Sequence, residues 1–344
     1  MLRNPRTLLI LAIGLVVFIV AILGGALGKA FGLGFLGTPL AAIAIPAEPM
    51  YPDVPITNTM VATWITIVVL LIVTLMVRSR LTEVPGRFQG LVEVVLEFFL
   101  NLAESIAGRE RARRFFPLVM TIFLFIVTAN WIGILPGAGT IGWIESTEYI
   151  ADHYYTDAEG NVNTAKLDKK EIQVFQGEGP VALAMPGSIA DKTTVKEWEK
   201  GPQDGNTAGI LVPYFRGANT DLNMTLAIAV VAMVMVHVWG FSALGFGHLG
   251  KYINFKEGPI GFFVGLLEGI SEIARLISFT FRLFGNIFAG EVLLAAMIFL
   301  IPLIGIIPFL GLELFVGMIQ AFIFAMLTLV FATAATTAHG GDHH

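Results

Sequence analysis

The stretch LISFTFRLFGNIFAGEVLLAAMIFLIPLIGIIPFL (276–310) carries only two charged side chains, Arg282 and Glu291. Its length exceeds the roughly 20 apolar residues that an α-helix needs to cross a bilayer. An arginine keeps its proton in any protein environment, so Arg282 cannot lower its cost by becoming neutral. At a bilayer centre that cost runs from about 2.5 to more than about 10 kcal/mol, depending on local water. A chain that holds such a cation there must gain something from it.

The rest of the chain is of the same kind. It has 344 residues, of which 56% are hydrophobic and only 14% charged, with a mean hydropathy of +0.78. Globular domains carry about 25% charged residues. The expected fold is all-α and polytopic. It has about six membrane helices including two long tilted ones, an interfacial amphipathic helix and an external insert. The net charge of −5 mostly reflects one polar segment and makes no case for nucleic acid. With no cysteine there is no disulfide, thiolate metal site or cysteine nucleophile.

The first apolar run, Leu8 to Leu27, follows Arg3 and Arg6. It reads as a retained helix with a cytoplasmic N-terminus rather than a cleaved signal. The segment up to Thr57 carries Lys29 as its one cation and fits an external loop. The run Thr59–Val77 ends at Arg78, Arg80 and Arg87, which places that end in the cytoplasm. From Pro85 to Arg114 the pattern changes, with Glu93, Glu97, Asn101 and Glu104 on one helical face. Three glutamates and the closing RERARR favour a helix along the inner interface over a third spanning helix. Leu118–Leu135 then crosses outward.

Residues 138–220 form the one long polar segment, in which KKEIQVFQ (169–176) reads as a strand. Tyr154, Tyr155, Phe175 and Trp198 point to some folding, without a catalytic pattern. Leu222–Leu244 returns inward, followed by Pro259–Leu300 and Leu303–Ala338. A helix of about 40 residues measures about 60 Å, twice the hydrocarbon core, so these two must be broken or steeply tilted.

Seven residues along a helix return nearly to the same direction. Glu268, Arg275 and Arg282 are spaced by seven and form one stripe, with Ser278 and Asn286 beside it. Glu291 lies nine residues past Arg282 and faces the opposite way, while Glu313 and Gln320 are again seven apart. Arg275 and Glu272 read as a structural pair, and His237 as a packed histidine satisfied by a backbone carbonyl. The counter-ion of Arg282 is expected on another helix or another chain. Motifs for zinc proteases, serine hydrolases and nucleotide-binding phosphate loops are absent; GFGHLG (245–250) lacks the following lysine. HGGDHH (339–344) reads as a polar cytoplasmic tail.

FRLFGNIFAGEVLL (281–294) closely resembles the signature of the subunit a family of F-type ATP synthases. EVPGRFQGLVE (83–93), NWIGILPG (130–137), DLNMTLAIAVV (221–231), LLEGISEIAR (266–275) and IQAFIFAMLT (319–328) are similar to other family blocks, in the same order. The resemblance covers residues 55–136 and 219–338. It implies a stator subunit of the membrane sector, forming two proton half-channels beside the ring of c subunits. The neighbours it implies are the c-ring, the peripheral stalk subunit b, the remaining synthase subunits and lipid, in a cell inner membrane. No cofactor, metal, nucleotide or catalytic residue is expected, because nucleotide chemistry belongs to other subunits.

Carried over, Arg282 matches the essential arginine, and Asn286 and Gln320 match interface polar residues. Glu291 and Glu313 match the external half-channel pair, here two glutamates that are expected to share a proton. Glu268 and Ser278 would line the cytoplasmic path. The implied organisation begins with an extra N-terminal helix (1–28) and an external loop (29–57). The family's first helix, interfacial helix and outward helix (58–137) follow, then the external insert (138–220). An inward helix with two long helices facing the ring (221–338) and the tail (339–344) complete it. The extra helix and the long insert depart from the bacterial pattern. An autonomous transporter is disfavoured because no second copy of the RLFGN region exists, and proton versus sodium coupling stays open.

Overall fold

The computed structural model describes residues 5–34, 46–51, 54–79, 81–135, 137–157, 160–177, 179–184, 189–201, 205–252, 258–302 and 304–337. Arg80, Leu303 and the tail 338–344 lie outside the described residues. The chain forms two compact units. One comprises Met1–Val61, Gly133–Gly217 and Ala289–Leu314, the other Ala62–Ile132, Ala218–Phe288 and Phe315–His344.

The helices are α1 (Pro5–Gly24), α2 (Ala26–Ala30), α3 (Asn58–Ser79), α4 (Arg87–Ala107), α5 (Arg109–Gly133), α6 (Thr147–Tyr155), α7 (Thr164–Leu167), α8 (Val195–Lys200), α9 (Leu222–Leu244), α10 (Gly258–Leu300) and α11 (Ile306–Ala335). Among the described residues, five helical segments are long and apolar enough to cross a membrane. They are α3, α5, α9 with the 3-10 segment Gly245–Lys251 that follows it, α10 and α11. The apolar part of α1, Leu8–Gly24, is shorter. The chain is thus a mainly helical, polytopic membrane protein. Helix α10 runs unbroken for 43 residues, about 65 Å at ~1.5 Å per residue. Its Pro259 and the Pro308 of α11 sit in the first turns, where a missing backbone N–H costs no helical bond.

In the second unit α4 buries Gln89, Phe99, Ala103 and Ala107, the last three spaced by four along one face, and leaves Glu93, Glu97 and Asn101 exposed. Gly108 turns the chain into α5 with φ of 76°, a conformation that side chains with a Cβ resist. Phe115, Val119, Ile126, Ala229, Ala232, Leu283, Phe324 and Leu329 form part of one buried core. The NWIG block has a structural task there. Asn130 donates Nδ2 to the Gly317 carbonyl at 3.1 Å and accepts from Asn219 Nδ2 at 2.7 Å.

The first unit contains a five-stranded antiparallel sheet in the order β3-β1-β5-β2-β4. Its strands are β1 (Ile141–Ser146), β2 (Glu171–Gln176), β3 (Val181–Leu183), β4 (Ile189–Thr194) and β5 (Asn206–Pro213). The strand expected in KKEIQVFQ is β2. Strands β1 and β5 escape a simple alternation search because consecutive residues on both faces are buried. Ile172, Val174 and Ala208 pack into one cluster with Ile150, Leu167 and Val195, and Phe175 and Leu211 into another with Ile144. Alternation along β1 puts Trp143 and Glu145 on the same face. That face meets the segment 46–51: Trp143 Nε1 donates to the Pro49 carbonyl at 3.4 Å and its ring stacks on Tyr51.

Candidate functional site

The polar residues of α10 separate into two environments. In the second unit Arg275 is fully engaged. It pairs with Glu272, meets Glu268 at 3.6 Å and lies 4.9 Å from the Phe331 ring centroid. The Glu268–Arg275–Arg282 stripe therefore splits, with its first two members neutralising each other. Tyr252 donates to Glu272 at 3.3 Å, and His237 Nε2 lies 4.0 Å from the same carboxylate. His237 Nδ1 meets His248 Nε2 at 3.2 Å. The partner of His237 is thus another imidazole rather than the expected backbone carbonyl, because the glycine turn at 245–250 folds His248 back against α9.

Arg282 stands apart. Its guanidinium reaches Ser278 Oγ at 3.4 Å, and among the described residues no carboxylate pairs with it. Arg282 and Asn286 are exposed, as are Ile270, Ile273, Ile277 and Phe281 along the same helix. The permanent cation projects from a mainly apolar exposed surface. One turn further, Asn286 Nδ2 donates to Gln320 Oε1 at 2.6 Å. Gln320 is buried, and its Nε2 makes no hydrogen bond among the described residues.

In the first unit Glu291 is held by Arg216. The guanidinium donates from Nε to Oε1 and from Nη2 to Oε2, each at 2.8 Å, and from Nη1 to the Pro46 carbonyl at 3.4 Å. Such a fork satisfies both carboxylate oxygens. The Arg216 side chain is 4% exposed and that of Glu291 37%. The family resemblance implies that Glu291 and Glu313 share a proton; among the described residues the hydrogen bonds of Glu291 go to Arg216. Glu313 is buried against α10 at Gly290, where a methyl group would overlap its carboxyl, and among the described residues it makes no ion pair.

A second carboxyl, Glu48, lies beside the same ion pair. Burial pushes it up from 4.5 to about 7; Arg216 pulls it down, and Glu145 and Glu291 push it up further. Glu145 is itself raised by burial and accepts from the Tyr154 hydroxyl at 3.1 Å. Sequence reasoning missed Arg216 and Glu48. Arg216 offered a faint signal, as the one lysine or arginine between Lys200 and Lys251. Glu48 offered none.

Comparison with known proteins shows the family. The model of the family described as ATP synthase A chain matches residues 60–333. The chain belongs to that family. It is 28% identical over 297 residues to the ATP synthase subunit a of Desulforamulus reducens, covering 83% of this chain and 82% of that protein. The Gloeobacter violaceus subunit a is 27% identical over 287 residues, covering 83% and 86%. The Moorella thermoacetica subunit a is 25% identical over 289 residues, covering 83% and 93%. Arg216, Arg282, Glu291, Glu313 and Gln320 fall inside the span matched by the ATP synthase A chain model; Glu48 and Asn58 precede it.

Proposed function

We propose that this chain is the stator subunit of the membrane sector of a proton-driven ATP synthase, with Arg282 as the partner of a carboxylate on the c-ring. The observation that carries the reading is the guanidinium of Arg282. It has no counter-ion among the described residues and projects from a mainly apolar surface. Such a cation in a membrane is stable only beside water or an anion. A ring of c subunits, each bringing one buried carboxyl past this face, supplies that anion in turn.

The guanidinium favours the ionised rotor carboxyl, and because it cannot release its own proton it also blocks a direct leak. During synthesis the paired carboxylate takes a proton from the external half-channel, becomes neutral and moves away into lipid. The next protonated carboxyl gives its proton to the cytoplasmic half-channel and pairs with Arg282. One proton has then crossed for each c subunit that passes. Asn286 and Gln320 position this interface, Glu313 carries protons on the external side, and Ser278 and Glu268 line the cytoplasmic side. Glu291 acts as a fixed negative charge held by Arg216. The sheet domain lies outside the cell and both termini lie in the cytoplasm; the peripheral stalk subunit b and the other synthase subunits complete the machine.

The test is ATP-driven proton pumping in vesicles that contain the whole complex. Arg282→Ala abolishes pumping, and Arg282→Lys largely fails because a buried ammonium has a different shape and can lose its proton. Normal pumping coupled to ATP turnover in either variant overturns the assignment.

A further inference from the structure

The carboxyls around Arg216 outnumber what that cation can neutralise. Glu291 already occupies two donors of the guanidinium at 2.8 Å. Glu48 therefore faces a pair whose net charge is close to zero, while Glu145 on β1 is a further carboxyl nearby. A carboxyl placed there for structure alone would take the guanidinium itself. Glu48 is instead met by an amide: Asn58 Nδ2 lies 3.5 Å from its Oε2 and 3.2 Å from the Pro213 carbonyl.

Asn58 is fully buried, and its Oδ1 has no hydrogen-bond donor among the described residues. A buried acceptor left without a donor is uncommon and calls for a protonated group or water next to it. The way to the surface is short. Glu145 is buried, yet it accepts from Tyr154, whose side chain is exposed.

We propose that Glu48 is a proton-collecting carboxyl at the mouth of the external half-channel, poised beside the fixed Arg216–Glu291 ion pair. This rests on the stator reading above and adds a residue, and a segment of chain, that lie before the matched family span. In each cycle the Glu48 carboxylate accepts one proton from external water and passes it inward, which restores the carboxylate. Both carboxylate oxygens of Glu291 are held by the Arg216 guanidinium, so that Glu291 supplies charge and not the travelling proton. The groups that face Glu48 are Arg216, Glu291, Glu145, Tyr154 and the Asn58 amide. Burial places its titration at about 7, where it exchanges protons near neutral pH.

The experiment uses cells or right-side-out vesicles carrying the whole complex. ATP synthesis is driven by a fixed membrane potential while the external pH is varied. The native complex is expected to show an inflection near pH 7. Glu48→Gln loses that inflection and about a hundredfold in rate, the low side of what a positioned proton-transfer group contributes. Glu48→Asp restores most of the rate with the inflection moved, since an aspartate titrates about half a unit lower to begin with. A Glu48→Gln complex with native rate and inflection overturns the proposal. Should Glu48→Gln fail to assemble, an inflection left unmoved in Glu48→Asp overturns it equally. Arg282→Ala in the same vesicles separates the two claims. If it still makes ATP, the stator reading falls and takes this one with it; if it is dead while Glu48→Gln is normal, only Glu48 is misassigned.

Discussion

The Arg216–Glu291 pair should respond unequally to loss of its two members, and with opposite dependence on pH. Arg216→Ala leaves a carboxylate with 37% of its side chain exposed, whereas Glu291→Gln leaves a guanidinium that is only 4% exposed. Removing one partner of a fully buried pair costs about 3–5 kcal/mol. Solvent at Glu291 reduces the Arg216→Ala cost to about 1–2 kcal/mol, nearer the value for exposed pairs. Glu291→Gln should cost ~3 kcal/mol where Glu48 is protonated, because the buried cation then has no counter-ion. Removing Glu291 takes away one of the charges that raise Glu48, so Glu48 ionises below about 7 and takes over that role, and the cost of Glu291→Gln falls as pH rises. Arg216→Ala behaves the other way: it leaves Glu48 and Glu145 beside Glu291 without a cation, and its cost grows as Glu48 ionises. The assay is amide hydrogen exchange in the intact complex, read as local opening free energies for 206–217 and 289–300 on either side of pH 7. A double variant, Arg216→Met with Glu291→Gln, should be less damaged than the sum of the two single changes. Equal costs, parallel pH trends or strict additivity would each show that the fork of hydrogen bonds contributes nothing.

Glu48→Gln should also change how stability depends on pH. In the folded chain Glu48 titrates at about 7 instead of 4.5, so the folded state binds more protons across that window. Stability therefore falls as pH rises from 4.5 to about 7, by an order of 1–2 kcal/mol after allowance for solvent. Melting of the complex at several pH values should show this slope in the native chain and its loss in the variant. Gly290→Ala should push the Glu313 carboxyl aside while leaving helicity intact, since alanine is the better helix former by about 1 kcal/mol; circular dichroism stays constant and proton flux falls. Asn286→Ala removes the donor to buried Gln320 and should cost about 1–3 kcal/mol, seen as a lowered melting temperature. Cysteines placed at Asp157 and Lys196 should react with an impermeant thiol reagent on intact cells, and those at Arg113 and Lys251 should not.

Sequence alone determined the class of protein and where its long helices lie. The apolar run Leu222–Leu244 coincides with α9, and Pro259–Leu300 starts one residue after α10 does. Those signals are local, because a helix in lipid must satisfy its own backbone. The run Leu118–Leu135 is the exception, since α4 ends before Gly108 and RERARR, expected to close the interfacial helix, opens α5 instead. The cap at Asp221, which accepts from the Asn223 N–H, marks the boundary of α9 in the same local way. Spacing likewise placed Arg275 near Glu272 and Glu268, because residues three and seven apart share a helix face. Tertiary structure decided everything that crosses the chain. Arg216 and Glu291 are 75 residues apart, and no periodicity links a residue in the connection after β5 to one on α10. Glu48 itself lies outside the helices and strands, and His248 finds His237 through a turn. The sheet order β3-β1-β5-β2-β4 pairs strands that are not neighbours in sequence. Side-chain charge is readable from sequence; which charge it meets depends on contacts that form only when distant segments are brought together.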